Sequence, residues 1–516
     1  MKAKLQGGVT GLLLAAGITG HAQQLVCEQL LSTPGLEVRW PTACVAPNGE
    51  FIVTGAARPV GTATPGLATH TFVARLRATG CDTLWQRRLP HVATYYASSA
   101  VRADGRGIWL LTPDTVVANS LAPPFTGMRL WRLTAAGAVR RVVRPLPVSA
   151  REQVHSLLLA ADGGVYAQVS NLRPQIGAPR NPGLLRFDST GTVRWRRDYG
   201  YAINSFGGSL CPTPTGGLLL TGTVGVGANY GTHAKLLEAE PSRGDSVRGA
   251  TLAWGPDVTE EWMASSNARP LETIALTGGG YLIPSVVHAP TAQSPEMGQL
   301  TRVDGNYGVV WRYRLPTAAT SADSREFMQV RELADGTLVA LVQPLAPGRT
   351  FWLYRFTAAT GALLAIYPFT SSFSTLEVTP AHLLPVAGDS TLLVVGGTRV
   401  NNTNQLTGIY VARVRVPGLP RVVTPAVPLA ARSAAAIRAF DLYPNPAREA
   451  VTVHLAARPG PGRLELRDAL GRLVRTQAVG PGAQPVQWSL AGLAAGLYAV
   501  VLREASGTRV QRLAVN

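Results

Sequence analysis

The chain repeats itself, and the form of the repeat limits what it can fold into. An apolar strand, a glycine-containing turn and a second apolar strand recur as ACVAPNGEFIVTGAA (43–57), SAVRADGRGIWLLTPD (99–114), HSLLLAADGGVYAQVSN (155–171) and GSLCPTPTGGLLLTGTV (208–224), with looser copies at 274–287, 328–344 and 382–398. A second hairpin alternates with the first. It reads TFVARLRATGCDTLWQRRLP (71–90), MRLWRLTAAGAVRRVVRPLP (128–147), LLRFDSTGTVRWRRDYG (184–200) and AKLLEAEPSRGDSVRGATLAWG (234–255), then recurs at 299–316, 352–369 and, incompletely, as IYVARVRVPGLP at 409–420. Seven copies of each part alternate at a period of roughly 53 to 60 residues, longer than that of WD repeats.

Four short strands per unit make a small twisted sheet that cannot bury both of its faces alone. Packing seven such sheets radially covers the faces and leaves short protected edges, which is the logic of a β-propeller. The seventh copy lacks its last strand, because after Val416 the chain enters GLPRVVTPAVP, whose prolines suit a strand interior poorly. Near the start, STPGLEVRW (32–40) resembles STGTVRW (189–195), with Gly35 and Trp40 in place of Gly191 and Trp195. That segment is expected to pair into the last sheet and close the ring. Trp40, Trp85, Trp195, Trp254 and Trp311 follow the turn glycines of their copies and are expected to cover the joints between neighbouring blades rather than to hold a ligand.

The ends of the chain differ from this body. Residues 1–22 begin with Lys2 and Lys4, run through an apolar stretch from Val9 to Ile18, and end in small residues before Gln23, the pattern of a secretory signal peptide cut between Ala22 and Gln23. No later segment is apolar for long enough to cross a bilayer as a helix. The four cysteines, Cys27, Cys44, Cys81 and Cys211, then lie in a compartment where disulfides persist. Aligning the turn of Gly49 with that of Gly216 puts Cys44 and Cys211 at one place in two repeats and so in different blades; Cys27 with Cys81 is the expected bridge.

Of 516 residues 46% are apolar and 15% charged, which excludes wholesale disorder. The net charge of +18 is carried by arginines dispersed singly, with lysine only at positions 2, 4 and 235. A nucleic-acid partner would call for a clustered basic stripe, so none is expected. Charge alone leaves a weak, salt-sensitive attraction to anionic polysaccharide or lipopolysaccharide.

After the Pro/Ala-rich linker 424–438 the pattern changes to the alternating strands of a small immunoglobulin-like β-sandwich over residues 439–516. Tyr443-Pro444-Asn445-Pro446 precedes its first strand, Asp468, Gly471 and Arg472 sit across a hairpin, and Gly496 and Tyr498 open the last pair of strands. In these motifs and their order the segment resembles the type A C-terminal sorting domain of the type IX secretion system. The resemblance implies Sec export, passage of the outer membrane by the type IX machinery, and a cargo either released or attached to surface lipopolysaccharide.

The organisation expected is therefore all-β: a signal peptide (1–22), a seven-bladed β-propeller closed by an N-terminal strand (23–423), a linker and the sorting sandwich. Chemistry is harder to find. Asp188, Thr190-Gly191 and Trp195 resemble the tryptophan-docking repeat of quinoprotein dehydrogenases, but the other copies replace the Asp or lose the Trp. The Asp-box of sialidase-like propellers fails at Arg186 and in spacing. There is no HExxH pair or GxSxG elbow. GVGANYG (225–231) has its third glycine one residue late, and Asp-Gly at 104, 162, 304 and 335 sits where hairpins must reverse. Glu260 and Glu261 cannot be paired with other carboxylates from sequence. No catalytic, cofactor-binding or metal-ligating residue is assigned, and no cofactor. A binding or structural protein of the cell exterior, contacting a glycan or a protein, is the leading expectation. The alternative is an enzyme on the same scaffold, glycan-cleaving or quinoprotein. Carboxylates, histidines or arginines converging on the propeller axis would discriminate.

Overall fold

The structure, a computed structural model, describes residues 24–33, 35–60, 68–78, 81–94, 99–116, 125–144, 151–172, 181–199, 206–226, 231–252, 260–262, 271–288, 296–316, 324–344, 348–386, 390–401, 406–416, 418–422, 440–443, 445–455, 461–468, 472–482, 485–504 and 507–516. All regular elements among them are strands, and the chain divides into two compact units, Met1–Ala426 and Val427–Asn516.

In the first unit, β1 is Gln24–Leu31. The first sheet is β2 to β5 (Leu36–Val45, Phe51–Pro59, Ala68–Leu76, Thr83–Thr94), and the second is β6 to β9 (Ala100–Asp104, Gly107–Val116, Phe125–Leu133, Val139–Val143). The third is β10 to β13 (Arg151–Leu159, Val165–Leu172, Asn181–Phe187, Val193–Asp198), and the fourth β14 to β17 (Phe206–Pro212, Leu218–Val226, Gly231–Ala239, Ser246–Thr251). The fifth has a divided first strand, β18 (Glu260–Trp262) and β19 (Ile274–Ala275), both paired with β20 (Tyr281–His288), then β21 (Met297–Val303) and β22 (Val309–Arg314). The sixth is β23 to β26 (Arg325–Glu332, Thr337–Pro344, Thr350–Thr357, Leu363–Thr370). The seventh joins β27 to β29 (Leu376–Pro385, Thr391–Val400, Leu406–Arg415) to β1.

Strand periodicity makes these sheets a propeller. Successive side chains of a strand face opposite sides, and here the two sides serve two different neighbours. On β7, Ile108 and Leu110 pack with Val73 and Leu89 of the first sheet, while Trp109 and Leu111 pack with Val165 and Phe187 of the third. The same division continues around the unit. Apolar clusters link the third sheet to the fourth, fourth to fifth, fifth to sixth and sixth to seventh, and one of Val38, Phe51, Phe72, Leu393, Ile409 and Val411 links the seventh back to the first.

The strand that completes the seventh sheet is β1, in antiparallel register from Gln24 opposite Arg415 to Leu31 opposite Ile409. This corrects the expectation for residues 32–40. Gly35 does make a tight turn, with φ of 74° and Leu36 N donating to Thr33 O at 3.0 Å, but residues 36–40 lead onward into the innermost strand of the first sheet. The likeness to 189–195 reflects the turn and not the strand that follows. Beyond the ladder, β1 is tied on both sides: Glu28 accepts from Tyr410 Oη and from Ser372 N, and Gln29 Nε2 donates to Thr83 Oγ1 of the first sheet at 3.2 Å. A disulfide joins Cys27 to Cys81 between β4 and β5. Cys44 on β2 and Cys211 on β14 are buried free thiols in different sheets.

The second unit packs a three-stranded sheet, β30 (Phe440–Tyr443), β31 (Ala450–Leu455) and β34 (Pro485–Ser489), on a four-stranded one of β32 (Gly462–Arg467), β33 (Leu473–Val479), β35 (Gly496–Glu504) and β36 (Gly507–Val515). Phe440, Val451, Val453, Leu464, Leu466, Trp488, Val500 and Leu513 fill the space between them.

Candidate functional site

Three of the tryptophans read from sequence sit where two sheets meet. Trp85 on β5 donates its indole N–H to Ala135 O of the second sheet at 3.0 Å, and Trp311 on β22 does the same to Ala358 O of the sixth at 2.9 Å. Their rings, and that of Trp195, lie against the turn glycines Gly137, Gly361 and Gly244 of the next sheet so closely that an added Cβ would fall within 2.9, 2.7 and 2.5 Å of ring carbons. Trp40 departs from this pattern. It interrupts the innermost strand β2 with a φ of 46° and packs on Ala56. Trp254 lies outside the described residues.

The hairpin of Asp188 is likewise architecture. Its carboxylate accepts from Thr190 N at 2.8 Å, Thr190 Oγ1 at 2.6 Å and Thr192 N at 3.0 Å. Burial pushes its pKa up, but those hydrogen bonds and Arg194 outweigh it and hold the group below its usual range. Asp104, Asp162, Asp304 and Asp335 accept from backbone N–H groups of their own turns in the same manner. Gly225 lies within β15 and Gly231 opens β16, and the two strands pair antiparallel. Glu261 is buried and accepts from Ser285 Oγ at 2.8 Å and Gln299 Nε2 at 3.0 Å within its own sheet.

The side chains that converge from separate sheets had no motif in the sequence. Glu272, just ahead of β19, accepts from Arg331 Nη2 at 2.8 Å and Gln329 Nε2 at 2.5 Å, both on β23. Arg102 on β6 approaches its other oxygen at 3.6 Å. The second and fifth sheets are not neighbours around the ring, so this ion pair can form only across the axis. Gln329 continues the network into the seventh sheet, accepting from Leu383 N at 2.5 Å and meeting His382 Nδ1 at 3.3 Å; His382 Nε2 in turn meets Pro41 O of β2 at 3.1 Å. A carbonyl oxygen can only accept, so the His382 proton is assigned to Nε2 and its Nδ1 takes the Gln329 amide hydrogen. Five sheets thus contribute to one polar girdle.

Glu272 is held among side chains of three sheets and keeps 30% of its own side chain exposed. Burial favours its neutral form, but Arg331 and then Arg102 overcome that and bring its pKa down to about 2. Two guanidinium groups against one carboxylate leave the girdle net positive. Close by, burial pushes the Cys44 thiol up to about 12 with Arg102 pulling weakly the other way; burial and then Glu272 raise Cys211. Neither Glu272 nor these two thiols suits proton transfer near neutral pH, where a catalytic acid or base works best with a pKa close to the ambient value. The girdle holds a single carboxylate among the described residues, where two-carboxylate glycoside hydrolysis calls for a pair.

In the second unit the motif residues hold the terminal strand. Asn445 Oδ1 accepts from Ala514 N at 3.0 Å across a cis Asn445–Pro446 peptide, and Ala447 exchanges backbone bonds of 2.9 Å with Ala514 and Asn516. Asp468 accepts from Arg472 N at 3.0 Å and Arg472 Nε at 2.6 Å, closing the β32–β33 turn. Tyr498 Oη donates to Ala494 O at 2.9 Å, and Gly496 begins β35. Tyr443 ends β30, while Pro444, Gly471, Ala22 and Gln23 lie outside the described residues.

Residues 441–516 match the family model described as the secretion system C-terminal sorting domain. This part of the chain is a type IX sorting domain, the mark of a secreted protein that engages that machinery. No curated protein matches the chain. Among solved structures it is similar to a protein of unknown function from Dyadobacter fermentans (10% identity, 76% of this chain and 99% of that one, TM-score 0.44). It is similar also to an α-L-arabinofuranosidase of Fusarium graminearum (11%, 75% and 96%, TM-score 0.39) and to the β-propeller domain of the Trilobed protease from Pyrococcus furiosus (11%, 74% and 94%, TM-score 0.39). At such identities and scores these likenesses assign no activity to this chain.

Proposed function

We propose that the first unit is a seven-bladed ring closed by β1 which binds and displays at the cell exterior rather than catalyses, with an anionic polysaccharide as its preferred ligand. The observation that carries this reading is the state of Glu272. It is the acidic group at the axis, and its pairing with Arg331 and Arg102 keeps it ionised down to a pKa of about 2. An ionised, doubly paired carboxylate neither donates a proton nor accepts one readily. The arginine excess around it, with the overall charge of +18, favours ligands bearing carboxylate or sulfate groups.

On this reading residues 1–22 direct Sec export with cleavage at Ala22–Gln23, residues 424–438 are the linker, and the sorting unit is engaged through Tyr443, Asn445, Pro446, Asp468, Arg472 and Tyr498. The propeller is then released or attached to surface lipopolysaccharide. The decisive test applies the full chain to an array of acidic and neutral polysaccharides at low and raised salt, with product analysis on every hit. Salt-sensitive binding to acidic chains without new sugar ends is the expected result. Turnover would replace this reading with the glycan-cleaving one. Deleting residues 441–516 should leave the protein folded but inside the outer membrane; unchanged surface display would refute the export route.

A further inference from the structure

Aromatic rings hold arginines at several points of the first unit, and the partners of those arginines differ. Arg39 lies over Trp40, Arg132 over Trp109, Arg186 over Tyr166 and Arg248 over Tyr307, with guanidinium carbons 4.3 to 6.0 Å from the ring centres. Each of these is also ion-paired within its own sheet, with Glu37, Asp104, Asp162 and Glu238 in turn. Arg129, over Trp131, is buried and donates to Pro90 O at 3.3 Å.

Arg325, the first residue of β23, departs from this pattern. Its guanidinium sits 4.4 Å from the centre of the Trp352 ring and Nη1 donates to Tyr354 Oη at 3.0 Å, but it has no carboxylate partner among the described residues. Trp352 is unusual as well. Trp85, Trp109, Trp131 and Trp311 give their indole N–H to an acceptor, whereas that of Trp352 meets none among the described residues. Arg325 stands opposite Pro344 and Trp352 opposite Val342, so both lie at the end of the sixth sheet where β23 begins and β24 finishes. Both side chains are only half-buried.

We propose that Arg325 and Trp352 form a subsite for one acidic sugar residue, held through its oxyanion and a hydroxyl; this rests on the polysaccharide reading above. Tyr354 occupies one N–H group of Arg325, and the rest of the guanidinium fork is left to meet a carboxylate or sulfate with paired hydrogen bonds. The indole N–H beside it can only donate, which suits a sugar hydroxyl oxygen. The ring and the tyrosine hydroxyl fix the guanidinium before a ligand arrives, which lowers the ordering cost of binding. β23 also carries Gln329 and Arg331 of the girdle, no more than about 20 Å from Arg325 along the strand, so one acidic chain can reach both.

The test is calorimetric titration of the full chain with hexamers of galacturonate, of mannuronate and of sulfated galactose, which also separates carboxylate from sulfate as the oxyanion. Arg325→Gln should weaken the tightest of these by more than about tenfold, as loss of a charge-assisted hydrogen bond does. Trp352→Phe, which keeps a ring beneath Arg325 and removes the N–H, should weaken it about two- to tenfold. Arg87→Gln removes the same charge from an exposed position on β5 and should change the affinity less than about twofold. Far-UV spectra matching the parent's show that the variants fold. Undiminished binding in Arg325→Gln or Trp352→Phe, or an equal loss in Arg87→Gln, would overturn the subsite and leave the polysaccharide reading standing. Failure of the parent to bind any of the hexamers would overturn both.

Discussion

Replacing Cys27 and Cys81 together by serine tests how the ring is sealed. The bridge spans 54 residues and joins the strand that completes the seventh sheet to the first sheet. Cross-linking a loop of that length restricts the unfolded chain by about 4 kcal/mol in the chain-entropy treatment, and removal of native bridges typically costs about 2–5 kcal/mol. The unit it stabilises runs to Ala426. At about 2.1 cal/mol/K of unfolding entropy per residue, a loss of that size lowers Tm by roughly 5 °C. The β1–β29 ladder and the Gln29–Thr83 hydrogen bond remain, so the native sheet content should be unchanged at room temperature. Differential scanning calorimetry of the parent and the double variant, both without reductant, reads the shift directly. Peptide mapping after blocking free thiols checks that the parent carries the bridge. A variant melting within a degree of the parent would refute the view that closure of the ring limits its stability.

Three further outcomes follow from particular contacts. Gly361→Ala, at φ of 71° and with its new methyl 2.7 Å from the Trp311 ring, should cost about 2–4 kcal/mol in urea unfolding, through left-handed strain and a displaced indole. Gly216→Ala, at φ of 85° with open space around it, should cost about 1–2 kcal/mol; equal costs at the two would discount the tryptophan joint. Because the pKa of Glu272 is lowered from 4.5 to about 2 on folding, its contribution is complete above the ordinary carboxylate range and is lost as pH falls through about 2. The stability gap between the parent and Glu272→Gln should therefore be widest near neutrality and narrow below pH 4.5, and equal gaps at pH 7 and pH 3 would contradict the pairing. With its pKa pushed up to about 12, Cys44 should resist iodoacetamide in the native protein at about pH 8 and react on unfolding; rapid native alkylation would show an accessible thiolate.

Local chemistry was legible from the sequence, and long-range convergence was not. Apolar strands with turn glycines marked the hairpins, and Trp85, Trp195 and Trp311 marked the seams, because each signal lies within one copy of the repeat. The Tyr-Pro-Asn-Pro stretch identified the sorting unit before its clasp on residues 514–516 was visible. β1 escaped notice because its partner strand lies at the far end of the unit, and a neighbouring stretch copied the expected turn. Arg102, Glu272, Gln329, Arg331 and His382 belong to no motif; only the radial arrangement brings them together.

The register of β1 also has a consequence for timing. Hairpins within a sheet can form among residues close in sequence, but Gln24 to Leu31 must wait for Ile409 to Arg415, the longest loop closure in the unit. The earliest strand of this unit therefore gains its partner only once the segment some 380 residues later has been made.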